Sequence, residues 1–103
     1  MSTKWYHYLM AFFAGAFLIN VLPHFLSGVA GTYFPTPFAN PPGEGLSSPV
    51  VNVAWGAFNI LIGGVLFHYA KVCSDKKLWI PVAIGGLLMA FNLAHHFGTV
   101  LNK

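Results

Sequence analysis

Residues 5–30 read WYHYLMAFFAGAFLINVLPHFLSGVA, without a lysine, an arginine or a carboxylate. A helix needs about 20 predominantly apolar residues to cross a bilayer, so this stretch is long enough to span one. Two more stretches share the property, from about Val50 to Ala70 and from about Leu78 to Leu101. The expected fold is therefore all-α. One transmembrane domain over residues 1–103 forms an antiparallel bundle of three transmembrane helices, over about 5–30, 50–70 and 78–101. An ordered Pro/Gly-rich loop, 31–49, joins the first two helices, and a short cytoplasmic loop, 71–77, joins the last two.

Composition supports the membrane reading. Charged residues make up 7% of the chain and apolar residues 56%, where soluble domains carry roughly a quarter charged residues. The net charge of +3 comes from five lysines and two acids. These charges are too few and too scattered for a nucleic-acid footprint, so no nucleic-acid partner is expected. Cys73 is alone, which excludes an internal disulfide and a Cys-type zinc site. Lys4, the apolar run and Gly28-Val29-Ala30 imitate a signal peptide, but the run is too long and is read as a retained span.

Aromatic residues gather where headgroups would lie. Trp5, Tyr6, Tyr8, Tyr69 and Trp79 fall on one side, Tyr33 and Trp55 toward the other. Lys4, Lys71, Lys76 and Lys77 share the first of these sides, while Glu44 and Lys103 share the second. The positive-inside rule places the N-terminus in the cytoplasm and the C-terminus outside, and a bacterial inner membrane is the expected location.

The 31–49 segment holds five of the seven prolines, namely Pro35, Pro37, Pro41, Pro42 and Pro49. Successive X-Pro steps exclude helix and favour turns or extended backbone. Tyr33, Phe34, Phe38 and Leu46 in the same segment call for cover, so a lid packed over the outer helix ends is expected. Pro81 falls in a first helical turn, where its missing N–H costs little. Pro23 lies deep in the first span, where it is expected to kink the helix or end its regular part, freeing a carbonyl near Ile19.

A short pattern recurs in the first and third spans. Asn20-Val-Leu-Pro-His24-Phe25 and Asn92-Leu-Ala-His-His96-Phe97 both read N-x-x-x-H-F. Asparagine and histidine four apart occupy one helix face, a turn from each other. Asn52 and Asn59 supply similar groups on the second span, in line with Gly56 and Gly63. His95 points about 100° away from its neighbour His96 around the helix. Glu44 is the one acid in the lid and reaches the cluster only if the lid folds back.

Polar residues inside a span mark helix contacts, ligands or pathways. The candidate ligand-binding or pathway residues are Asn20, His24, Asn52, Asn59, Asn92, His95, His96 and Glu44. Neutral imidazole suits a transition metal or haem iron, which makes His24 and His96 the candidate metal ligands with asparagines orienting their rings. Hydrogen bonding among the same groups accounts for them more simply as helix glue, and an organic ligand such as a quinone or lipid would use the same donors and acceptors. The resulting expectation is a small integral membrane protein acting as a non-catalytic accessory or scaffold subunit, with an outer-leaflet Asn/His cluster that binds a metal, haem or small organic ligand. Besides the lipid bilayer, its expected partners are further copies in a homo-oligomer or the subunits of a larger membrane complex. The alternative is an oligomeric channel or transporter for a small solute or protons. Enzymatic chemistry finds no nucleophile setting, since Ser47-Ser48 before Pro49 read as turn or N-cap residues.

Overall fold

Helices that are apolar around their whole circumference are not oriented by an apolar stripe, so small residues and polar pairs decide how they pack. The computed structural model describes residues 2–102. It contains three long helices, α1 (Trp5–Val29), α2 (Pro49–Tyr69) and α3 (Trp79–Leu101). All three are long and apolar enough to cross a membrane. Their outer surfaces carry large apolar side chains, among them Phe91, Ile80 and Leu61, all more than half exposed. That exterior suits lipid rather than water.

The helices do not close into a bundle. α1 is central, α2 and α3 each pack along it, and α2 and α3 scarcely touch one another. Glycines set these approaches. On the α3 side, a Cβ at Gly85 would run into the Phe12 carbonyl oxygen, and one at Gly15 into that of Val82. On the α2 side, a Cβ at Gly56 would lie 2.9 Å from the Phe25 Cβ, and one at Gly63 would lie 2.7 Å from the Leu18 Cδ2. Because both neighbours use their small-residue faces against α1, neither has one left for the other. An open cleft remains between α2 and α3.

α1 continues through Pro23 to Val29, so the proline does not end the helix. The nearby Asn20 and His24 side chains turn to α2 rather than to the carbonyl that Pro23 frees.

The α1–α2 connection contains a small antiparallel ladder, β1 (Phe34–Pro35) against β2 (Leu46–Ser47), with Phe34 opposite Ser47. Composition alone did not anticipate strands here. The Thr36 carbonyl accepts from the Ala39 and Gly43 N–H groups at 3.1 and 2.9 Å, and the Thr36 hydroxyl lies 2.6 Å from that of Ser47. Gly43 adopts φ +75°, a left-handed conformation that favours glycine. Ser48 caps α2 by accepting from the Val51 N–H, with Pro49 opening the first turn.

At the opposite end, two 3₁₀ turns, Val72–Ser74 and Lys76–Leu78, join α2 to α3. Ala11, Ala70, Val72 and Leu78 form a small apolar core there. The Asp75 carboxylate accepts from the Thr3 hydroxyl at 2.6 Å and from the Lys77 N–H at 3.0 Å. The Thr3 bond above all, then the Lys77 N–H and the Lys77 charge, hold this carboxyl below its usual range.

A depressed carboxyl contributes stability that is complete above its unfolded pKa, about 3.9, and is lost as pH falls through the folded value. The melting-temperature difference between wild type and Asp75→Asn is therefore expected at pH 7 and should vanish as detergent-solubilised samples are acidified below about pH 3.9. A second expectation concerns helix packing. Gly85→Ala should push α3 off α1 and cost about 1–3 kcal/mol in denaturant titrations, as overpacking does elsewhere. Gly64→Ala and Gly98→Ala, where an added Cβ meets nothing within 4 Å, should be neutral or slightly stabilising.

Candidate functional site

Asn52 is fully buried on α2. Its Nδ2 lies 2.9 Å from the Phe34 carbonyl, 3.2 Å from that of Ser47 and 3.1 Å from that of Ser48. An amide NH₂ has two hydrogens, so one is shared among these three acceptors. This crowding of carbonyls fixes the carboxamide with its NH₂ toward the β ladder and its oxygen toward α1. The Oδ1 lies 3.0 Å from His24 Nδ1. An amide oxygen only accepts, so Nδ1 carries a proton, and Nε2 is an acceptor whenever the ring is neutral. His24 is itself buried, 3% exposed. Its Nε2 makes no hydrogen bond to the described residues.

One level toward the middle of the helices, Asn20 Nδ2 donates to Asn59 Oδ1 at 3.0 Å. Asn59 Nδ2 in turn donates to the Trp55 carbonyl at 2.8 Å. Like Asn52, Asn59 is fully buried. Both asparagines share a helix face with Gly56 and Gly63, the four buried positions of α2. The α1–α2 seam is thus zipped by two side-chain bonds a turn or two apart.

Trp55 stands between these levels. Its indole ring stacks near Phe58 at 5.7 Å and meets Phe38 edge-on at 5.1 Å. The His24 ring lies 6.4 Å away, centre to centre. Trp55 Nε1 is buried and makes no hydrogen bond, the single such side-chain nitrogen or oxygen among the described residues. A buried donor without an acceptor costs about 1–3 kcal/mol and asks for a partner.

Trp55 borders an apolar hollow of about 320 Å³ with Phe38, Val51, Ala54 and Phe58, and two more that it shares with Asn20. The larger of those two, about 380 Å³, is the cleft between α2 and α3, floored by α1 and lined chiefly by Phe13, Phe17, Leu88 and Met89 with Asn20, Asn59 and Asn92. The smaller, about 140 Å³, lies beneath the β ladder and is lined by His24, Thr36, Gly43, Leu93 and Phe97. Asn20 and Trp55 belong to both. The same two side chains therefore border a mostly apolar hollow on one side and the space beneath the ladder on the other.

The two N-x-x-x-H-F copies serve different ends. His24 bonds Asn52, whereas His96 Nε2 donates to the Gly43 carbonyl at 2.7 Å and anchors the loop to α3. The two imidazoles are not joined. Phe97 stands between them, 6.0 Å from His24 and 5.1 Å from His96 by ring centres. Asn20 pairs with Asn59, but its counterpart Asn92 is exposed at the cleft with no hydrogen bond among the described residues. His95 is exposed, and only its backbone carbonyl is engaged, by Thr99. Glu44 is exposed on the loop and lines neither hollow.

Among the described residues, no three His, Cys, Asp or Glu side chains gather to hold a metal. His96 already spends Nε2 on Gly43, so ligation of a metal or haem between His24 and His96 gains no support from the geometry. From the sequence, Trp55 is a headgroup-belt aromatic and Phe97 only the last residue of the second N-x-x-x-H-F copy. The spacing held a signal for Trp55, which lies three residues after Asn52 and four before Asn59, on their face of α2.

No family model matches the chain, and no curated protein or solved structure matches it significantly. Its function is read from its own geometry.

Asn52→Ala should strand the His24 Nδ1–H and the ladder carbonyls, costing about 2–4 kcal/mol. Hydrogen exchange should show faster loss at the Ala39 and Gly43 amides. Asn92→Leu, which removes an unpaired exposed group, should change stability by less than about 0.5 kcal/mol in the same assay.

Proposed function

We propose that this chain is a non-catalytic integral membrane subunit that holds one small neutral amphiphile in the cleft between α2 and α3. The polar head lies beside Trp55, His24 and Asn20, and the apolar body lies along Phe13, Phe17, Leu88 and Met89. The observation that carries this reading is the buried, unpartnered Trp55 Nε1–H beside a mostly apolar hollow. Ligand sites combine an apolar lining with a few placed polar groups in this way. In lipid, no water would serve the indole instead. The loop over residues 31–49 acts as an ordered lid, held to α2 by Asn52 and to α3 by His96.

The lysine distribution supports a cytoplasmic N-terminus, with the lid and the C-terminus outside. Assembly with further copies or with a larger membrane complex fits the open cleft and the exposed Asn92 and His95, since asparagine and histidine bond across helices in lipid.

The test is solvent extraction of protein purified in detergent, followed by mass spectrometry of the extract. Wild type should retain about one organic molecule per chain, and Met89→Trp, which fills the cleft, should retain none while keeping the helical circular-dichroism spectrum of the wild type. Equal extracts from both proteins would refute the reading.

A further inference from the structure

The lysine-rich end of the helices, opposite the lid, holds a hollow of a different character. It measures about 420 Å³ and is lined by Ser2, Thr3, His7, Lys71, Ser74 and Asp75, all of them polar. His7 is the one buried residue in this wall, 5% exposed. The Lys4 N–H donates to its Nδ1 at 2.9 Å, at the first turn of α1. A backbone N–H only donates, so Nδ1 keeps a lone pair and the ring proton sits on Nε2. That Nε2–H has no hydrogen-bond partner among the described residues. Trp55 Nε1 is the single partnerless side-chain nitrogen or oxygen among them that is fully enclosed. His7 Nε2 therefore keeps some surface, and it offers an unmet N–H to the hollow that the residue lines.

The rest of the wall is rich in donors, with the Lys71 ammonium and the Ser2 and Ser74 hydroxyls. Asp75 is its one acid, and the two carboxylate oxygens already accept from the Thr3 hydroxyl and the Lys77 N–H. Lys4, Lys76 and Lys77 adjoin Thr3 and Asp75 in the chain, so positive charge prevails here. The start of α1 adds the positive end of its dipole. A metal cation would find Asp75 alone, because His7 presents a hydrogen and Lys71 a like charge. An anion finds several donors. Phosphate has more than one acceptor oxygen, so donors on different walls need not meet at one atom. Trp5, Tyr69 and Trp79 are exposed at this end, and such belts lie at the depth of lipid headgroups. We infer that this hollow binds a phosphate group, supplied by an anionic lipid headgroup, with His7 Nε2–H and the Lys71 ammonium as donors. The site is separate from the α2–α3 cleft and does not depend on its occupant.

A headgroup held at the surface exchanges with detergent, so binding is measured by adding lipid to washed protein. The readout is the nitrogen NMR resonance of His7 Nε2 in isotope-labelled protein in maltoside micelles, assigned by its loss in His7→Glu. Glutamate at this position still accepts from the Lys4 N–H, as in a capping box. Dioctanoyl phosphatidylglycerol should shift the resonance saturably. Dioctanoylglycerol, which lacks the phosphate, should leave it in place at equal mole fraction in the micelle. Lys71→Asn and Lys77→Asn each remove one charge, and asparagine tolerates the left-handed backbone of Lys71, φ +60°. Lys71→Asn should weaken phosphatidylglycerol binding about fivefold or more, and Lys77→Asn, outside the wall, less than about twofold.

An equal shift from both lipids, or a shift from neither, would overturn the phosphate site. Equal weakening by the two lysine variants would overturn it in favour of diffuse charge attraction. Millimolar inorganic phosphate separates the sources of the group. No shift from it supports the lipid, and a shift as large as the lipid's would overturn the lipid source while supporting the phosphate site.

Discussion

The Asn52 carboxamide joins three separate parts of the chain at one buried point. Its NH₂ reaches the carbonyls of β1, of β2 and of the α2 cap, and its oxygen receives the His24 proton from α1. Asn52 and His24 are both buried, so the arrangement is held by the cost of leaving their polar groups unmet. The position of the loop, the tautomer of His24 and the α1–α2 seam all follow from it. Replacing the amide with an apolar residue would leave the helices intact and remove what tells the loop where to sit.

The helix layer has a different origin. Gly15 and Gly85 allow α3 to press backbone against backbone on one side of α1, and Gly56 and Gly63 allow α2 to do so on the other. Helices in lipid gain from close packing rather than from apolar burial, so small residues choose the neighbours. Two neighbours that both choose α1 leave a cleft between themselves. The cleft is the by-product of glycine placement, and it meets the polar level at Asn20 and Trp55.

Parts of the site were legible from spacing. Asn52, Gly56, Asn59 and Gly63 lie on one helical stripe, and all four are buried in the fold. The recurrence of N-x-x-x-H-F suggested a kinship of roles, but its two copies make different contacts. His24 is locked inside the seam, His96 ties down the loop, and Asn92 has no bond among the described residues. Spacing tells which residues share a face; it does not tell which face meets a neighbour. The surroundings of Trp55 were hidden for a related reason. An indole near a helix start matches a headgroup belt, and only the packing of Phe38, Phe58 and His24 around it turns its N–H into a buried group.

By itself, the sequence determined the three apolar helices, their approximate ends and the short list of polar residues that lipid would not tolerate unpaired. Those properties are local, set by length, composition and the 3.6-residue period. Only the tertiary structure decided that α1 lies between the other two helices, that a two-residue ladder organises the loop, and which donors and acceptors find partners. A hydrogen bond over 3 Å depends on backbone approach between segments far apart in sequence, and no local pattern encodes that distance. The unmet indole N–H of Trp55 and the Nδ1 bond of His24 to Asn52 are consequences of that approach.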